Sequence, residues 1–233
     1  TDDDDATPTT DDDDASPAAF DPWSLWSGAP ELRGANFYQQ DEGRDDGASN
    51  DGFGPPLQPS DLQALRASGA NLVVLSVPGT WHVQQPQPWP AMADRLEWLV
   101  DQAAAADLFV VIAFRTGPGR GEGDITDDGL NAHSVYGNNA ERAGWVDMWT
   151  ETALAYADNP NVGYDLMVEP HDHPQAAWAS LAQAMIDGIR SVDTETPILV
   201  SPGDWGGCDA LANFTPPVDP SGRLVATVHQ YEP

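Results

Sequence analysis

Six short segments of the chain are apolar almost throughout: GANFYQ (34–39), NLVVLSV (71–77), LFVVIAF (108–114), VGYDLMV (162–168), PILVS (197–201) and LVATVH (224–229). Runs of this length without polar alternation predict strands buried on both faces. The segments between them carry apolar residues at helical spacing: PSDLQALRASG (59–69), AMADRLEWLVDQAAAAD (91–107), NNAERAGWVDMWTETALAYAD (138–158) and PQAAWASLAQAMIDGIRSVD (174–193). Ser60 is the expected N-cap of the first helix and Gly69 its stop.

Strand and helix alternating in this way predict a parallel sheet covered by helices. A doubly wound sheet needs a glycine fingerprint or a phosphate loop after its first strand. RGANFYQQ supplies neither, and GPGRGEG after the third strand has the wrong spacing and no Lys. The predicted fold class is therefore α/β, a (β/α)8 TIM barrel with about six βα units present. At about 200 residues after its first segment the chain falls short of the roughly 250 of a whole barrel. The expectation is a C-terminally truncated barrel, with two exposed sheet edges and no activity of its own.

Composition narrows the partners. The chain has 38 acidic residues against nine basic ones, all arginine, for a formal net charge of −29. Such a surface repels nucleic acid and anionic lipid, and it favours a neutral substrate or a saline setting. TDDDDATPTTDDDDASPAA (1–19) cannot bury enough apolar surface to order itself, so residues 1–19 are expected to be a disordered acidic linker and 20–233 the folded domain. A tether of this kind fits a secreted or surface-attached protein. Cys208 is the only cysteine, and no stretch is long and apolar enough to span a bilayer. A monomer is expected.

Polar residues collect where the strands end. Arg115, Glu169 and His229 each close an apolar run, and in barrels and open α/β sheets alike the site lies at that edge. Glu169, followed by Pro170, is placed as a carboxylate held at the mouth of the fold. Trp205 after the fifth strand, and Trp81 and Trp89 in a Pro-rich loop after the second, offer flat faces on which a pyranose could stack; Trp98, Trp145, Trp149 and Trp178 fall on helices, where packing is the expected use. His171-Asp172-His173 has metal-ligand side chains but no third protein ligand at helical spacing, so no metal site and no cofactor are expected. There is no Gly-x-Ser-x-Gly elbow for a serine nucleophile.

Taken in order, Gly34-Ala35-Asn36, SGANLVVLSVP, YADNPNVGYDLMVEPH, ILVSPGDW and TVHQY resemble glycoside hydrolase family 5, the cellulase-like (β/α)8 barrels, from about Leu32 to Pro233. The resemblance implies hydrolysis of O-glycosidic bonds in a poly- or oligosaccharide, with Glu169 as general acid/base. A glycosidic oxygen leaves poorly unless protonated, and a carboxylic acid serves near neutrality when desolvation raises its pKa. It also implies that His229 and Tyr231 line the cleft and orient the nucleophile. Arg115, Trp205, Trp81, Asn36 and His171 complete the expected substrate-binding set.

Retention requires a second carboxylate, which the family carries at the end of its seventh strand. This sequence stops at HQYEP, just after the sixth, so the nucleophile is expected beyond it. Three positions depart from the family pattern: Val74 where Arg is usual, Arg115 where His is usual, and Val168 where an Asn contacts the sugar hydroxyl beside the reacting carbon. A glycan-binding barrel without hydrolysis is therefore the main rival, and an unrelated barrel enzyme using Glu169 to abstract a proton is a third possibility.

Overall fold

A computed structural model describes residues 21–28, 31–38, 57–79, 89–121 and 133–231. The proposed linker 1–19 and Trp81 lie outside the described residues. The strands are β1 (Gly34–Tyr38), β2 (Leu72–Pro78), β3 (Phe109–Thr116), β4 (Val162–Asp165), β5 (Ile198–Val200) and β6 (Leu224–Ala226). The helices between them are α1 (Pro59–Ala67), α2 (Trp89–Ala105), α3 (Asn139–Tyr156) and α4 (Gln175–Arg190).

All five strand pairings are parallel and the sheet order is β1-β2-β3-β4-β5-β6. Each crossover steps one strand in the same direction. A doubly wound sheet would reverse that order at a switch point, so the sequential wall is that of a barrel, as expected. Successive side chains on each strand point to opposite faces. Val73, Leu75 and Val77, Val110, Ile112 and Phe114, and Val162, Tyr164 and Leu166 face outward into the layer shared with the helices. Phe109, Val111 and Leu199 form a smaller inner cluster with Leu72, Val74 and Val225, closed from the N-terminal end by Leu25 and Trp26. Trp26 meets Phe109 edge-on, ring centroids 5.8 Å apart.

Several boundaries differ from the sequence pattern for identifiable reasons. The N-cap of α1 is Gln58, not Ser60, because Pro59 fits the first helical position, where no N–H is needed, and Asp61 Oδ2 accepts the Gln58 N–H at 2.8 Å. Gly69 ends the helix as expected, at φ +97°. Trp89 begins α2 rather than lying in the preceding loop. The ladder of β4 ends at Asp165, although Leu166, Met167 and Val168 stay buried behind it. β6 stops at Ala226, and the chain reaches His229 by two further backbone bonds, Thr227 N–H to Val200 O and His229 N–H to Gly206 O.

Three tryptophans on the helices set where the strand ends lie. Trp145, Trp149 and Trp178 are fully buried, as the packing expectation requires, and each indole N–H donates to a carbonyl just past a strand. Trp145 Nε1 reaches Pro118 O at 2.9 Å beyond β3, Trp149 Nε1 reaches Leu166 O at 2.9 Å beyond β4, and Trp178 Nε1 reaches Ser201 O at 2.8 Å beyond β5. Gly117 lies so close to Trp145 that a Cβ there would sit 2.6 Å from the ring. A buried carbonyl left without a donor loses its hydration with nothing in return, so these bonds fix the rim as well as the core.

Trp149→Phe keeps most of the packing and removes only the donor to Leu166 O; a loss of about 1–3 kcal/mol is expected. Trp149→Ala should cost about 3–5 kcal/mol. Urea unfolding of both variants checks this, and a Trp149→Phe variant as stable as the unsubstituted protein would show that the bond to Leu166 contributes nothing.

Candidate active site

Glu169 sits where the buried run behind β4 breaks out to the rim, with a left-handed backbone at φ 51°. Among the described residues five non-glycine positions have positive φ, and four of them, Glu169, Asp172, Asp204 and Trp205, lie in the loops after β4 and β5. Such conformations cost about 1–3 kcal/mol each and persist only where surrounding structure imposes them. Here the imposing groups can be named. Trp205 N–H donates to Pro170 O at 3.1 Å, and Val168 N–H donates to Phe114 O at 3.0 Å. Arg120, fully buried, donates from Nη1 to Gly121 O at 2.8 Å and from Nη2 to Glu169 O at 3.3 Å.

The Glu169 carboxylate is approached by three side chains from two parts of the wall. His229 Nδ1, beyond β6, is 2.8 Å from Oε1, and the Tyr231 hydroxyl donates to the same oxygen at 2.6 Å. Arg115 Nη2, near the end of β3, stands 3.7 Å from Oε2. Glu169 and Arg115 side chains are each 15% exposed, so solvent screens the pair only in part. The bond from His229 contributes most to holding the carboxyl down; burial opposes it, and Tyr231 and the Arg115 charge assist, to a pKa of about 2. The expectation that desolvation would raise it is thus reversed: burial does act upward, but the donors outweigh it. Reciprocally, the bond to Glu169 raises the pKa of His229.

The inner wall holds a second carboxylate that the sequence reading passed over. Asp165 is 9% exposed, its Oδ1 has no hydrogen-bond partner, and burial raises its pKa to about 7 against the opposing charge of His229. An acid inside an otherwise apolar strand run was the available signal. Arg120 was also missed; its signal was an arginine inside the glycine- and proline-rich turn that follows β3.

Beyond Glu169, Trp205 is 49% exposed and its ring stacks on His171, with centroids 4.7 Å apart and planes at 19°. Burial lowers the His171 pKa to about 4, with the Arg120 charge acting the same way. A groove of about 440 Å³ opens beside them, lined by Asp172, His173, Gln175, Asp204, Trp205 and Asn213. A cavity of about 300 Å³ at the opposite end of the strands, lined by Leu25, Arg66, Asn71, Asp107 and Phe109, is remote from these groups.

The structure thus brings together Glu169, Arg115, His229 and Tyr231, with His171 and Trp205 alongside. His229 and Tyr231 both contact Glu169 itself. Asn36 is exposed on β1, and its register runs through Val74 and Val111 to Gly163, six residues before Glu169, so the strand register does not carry it to this group. Val168 is buried at 3% exposure.

The profile of the cellulases, glycosyl hydrolase family 5, matches residues 45–233. The chain belongs to that family. The manganese dependent endoglucanase Eg5A of Phanerodontia chrysosporium is 25% identical over 219 residues, covering 87% of this chain and 53% of that protein. Endoglucanase 3 of Fibrobacter succinogenes is 36% identical over 94 residues, 38% of this chain and 14% of its own length. The crystal structure of endoglucanase Cel5A from Thermotoga maritima superposes with a TM-score of 0.67 at 19% identity, over 91% of this chain and 63% of that one. The six-stranded wall is thus part of a TIM barrel, and the chain spans about half the length of the curated relative that it matches along most of its own length. Among the described residues no helix is long and apolar enough to cross a membrane.

The coupling at Glu169 predicts a pH signature. Its folded pKa, about 2, lies below the ordinary 4.5, so its stabilisation is full above 4.5 and is lost as pH falls toward 2. That of His229, raised from 6.5, is full below 6.5 and fades as pH climbs through the raised value. His229→Gln should therefore move the Glu169 carboxyl titration upward, toward its ordinary range. Side-chain carboxyl NMR reads this directly; an unmoved titration would show that His229 does not hold the carboxylate.

Proposed function

We propose that the protein is a glycoside hydrolase that cleaves O-glycosidic bonds of a poly- or oligosaccharide with retention of configuration, Glu169 acting as general acid/base. The observation that carries this is the placement of Glu169: a carboxylate at the C-terminal rim of a barrel wall, gripped by side chains from the end of β3 and from beyond β6, with an exposed tryptophan face and a groove beside it. Family membership supports the reaction class. The names of the relatives support a β-glucan type of substrate, since each is called an endoglucanase.

In a retaining reaction two carboxyl groups stand about 5–5.5 Å apart. One attacks the anomeric carbon while the other, protonated, gives its proton to the departing glycosidic oxygen; it then takes a proton from the water that releases the sugar. Glu169 fits the second part. The donors around it hold it ionised, which suits the base step, and a neighbouring carboxylate would raise its pKa and let it carry the proton for the acid step. We place that nucleophile beyond Pro233, in the part of the relatives that this chain does not span. Trp205 is suited to stack on a pyranose face, and Arg115, in the position where the family pattern has His, to hold the Glu169 carboxylate by its charge. Export is the setting in which a polymeric substrate of this kind would be met.

Two observations favour a second reading, a glycan-binding barrel without turnover: the carboxyl at 169 is held near pKa 2, and Val168 cannot bond the sugar hydroxyl that an Asn would. Glu169→Gln in the complete protein separates the two. Turnover of a β-glucan should fall by orders of magnitude while glycan binding is largely kept. Because one relative is named manganese dependent, the assay is run with and without Mn²⁺. Turnover unchanged by the substitution would remove Glu169 from the chemistry; no turnover in the unsubstituted protein would favour the binder.

A further inference from the structure

The sequence shows His171, Asp172 and His173 as a run, but the fold separates them. His173 turns to Tyr136, ring centroids 3.8 Å apart, and its Nδ1 lies 3.0 Å from Pro174 O. In its place the fold brings His133, 38 residues upstream of His171 and just before the turn Ser134–Tyr136 that leads into α3. His133 Nε2 is 3.6 Å from Asp172 Oδ2, and His171 Nδ1 is 3.2 Å from the same oxygen. One ligand atom from each of the three residues lies within 4.8 Å of the other two. The two imidazoles are not stacked but stand at 61°.

The two nitrogen–oxygen separations suit a shared ion. Metal–nitrogen and metal–oxygen bonds of about 2.0–2.2 Å put tetrahedral neighbours roughly 3.4 Å apart and octahedral neighbours roughly 3.0 Å apart. We propose that His133, His171 and Asp172 bind one divalent transition-metal ion, of the zinc or manganese class, which clamps the loop after β4 to the segment entering α3. Two imidazoles and a single carboxylate disfavour calcium and magnesium, which take oxygen-rich sites. The remaining coordination positions fall to water.

One neighbour opposes the ion. Arg120 Nη2 lies 3.4 Å from His171 Nε2, the ring atom that carries the proton when Nδ1 binds metal. Arg120 also donates to Gly121 O and Glu169 O, so its guanidinium keeps acceptors when the ring contact is given up. The formal charge of −29 acts in the other direction and draws cations to the surface. The clamp would have a local effect, since His171 carries the Trp205 ring and Arg120 holds the Glu169 carbonyl. Ion binding is nevertheless independent of whether Glu169 cleaves glycosides, because it is counted without turnover.

The test is equilibrium binding of Mn²⁺ by electron paramagnetic resonance and of Zn²⁺ by calorimetry, on the chelator-stripped full chain in excess Mg²⁺. One ion per chain is expected, resistant to Mg²⁺, with affinity reduced at least about tenfold in His133→Ala and in Asp172→Asn and unchanged in His173→Ala. Asp172→Asn alters a side chain 56% exposed, so it decides the matter should His133→Ala fail to fold. Binding that survives both substitutions, or that Mg²⁺ displaces, would be diffuse attraction to the acidic surface and would overturn the site, as would no binding at all.

Discussion

Three indole N–H groups, each buried on a helix and each bonded to a carbonyl past the end of a strand, hold the working rim of this molecule in place. A parallel wall ends in carbonyls that its own ladder no longer pairs, and those ends are where side chains must be aimed. Trp145 fixes the turn that carries Arg120, Trp149 the run that leads to Glu169, and Trp178 the start of the loop that carries Trp205. The tryptophans fill the layer between helices and sheet while their polar edges meet an acceptor, so one residue type serves both packing and register. Without those bonds the left-handed backbone at Glu169 and Trp205 would lack its support from below.

The same economy governs charge. In a chain with 38 acidic residues, the few arginines at the rim are placed against specific acceptors. Arg115 faces the Glu169 carboxylate and Arg120 its carbonyl, so side chain and backbone of one residue are each held by a cation. His229 and Tyr231 complete the grip from beyond β6. Below them Asp165 is pushed the opposite way by burial. Two carboxyl groups on one strand segment, four residues apart, thus have pKa values moved in opposite directions, which is the kind of separation that acid–base chemistry employs.

Much of the fold was legible because its causes are local. Continuous apolar runs of strand length, separated by helical patterns, leave little choice but a covered parallel sheet, and Gly69 marks a helix stop by its own conformational freedom. Glu169 was legible because a carboxylate closing a buried run has few structural uses. The grip upon it was legible only in part: His229 and Tyr231 stand 60 and 62 residues away in sequence and meet it through β6. The direction of its pKa could not be read, since burial and hydrogen bonding oppose each other and only geometry decides between them. His133 was invisible for the same reason, and Ser60 was favoured as N-cap by residue type where Pro59 had already set the start of the helix.

The account rests on Glu169 facing a saccharide. The most direct measurement is a crystal structure of the complete protein carrying Glu169→Gln with a bound oligosaccharide. The account predicts a glycosidic oxygen within hydrogen-bond distance of residue 169 and a pyranose against the Trp205 ring. A sugar bound elsewhere, with the rim around residue 169 left to solvent, would contradict it.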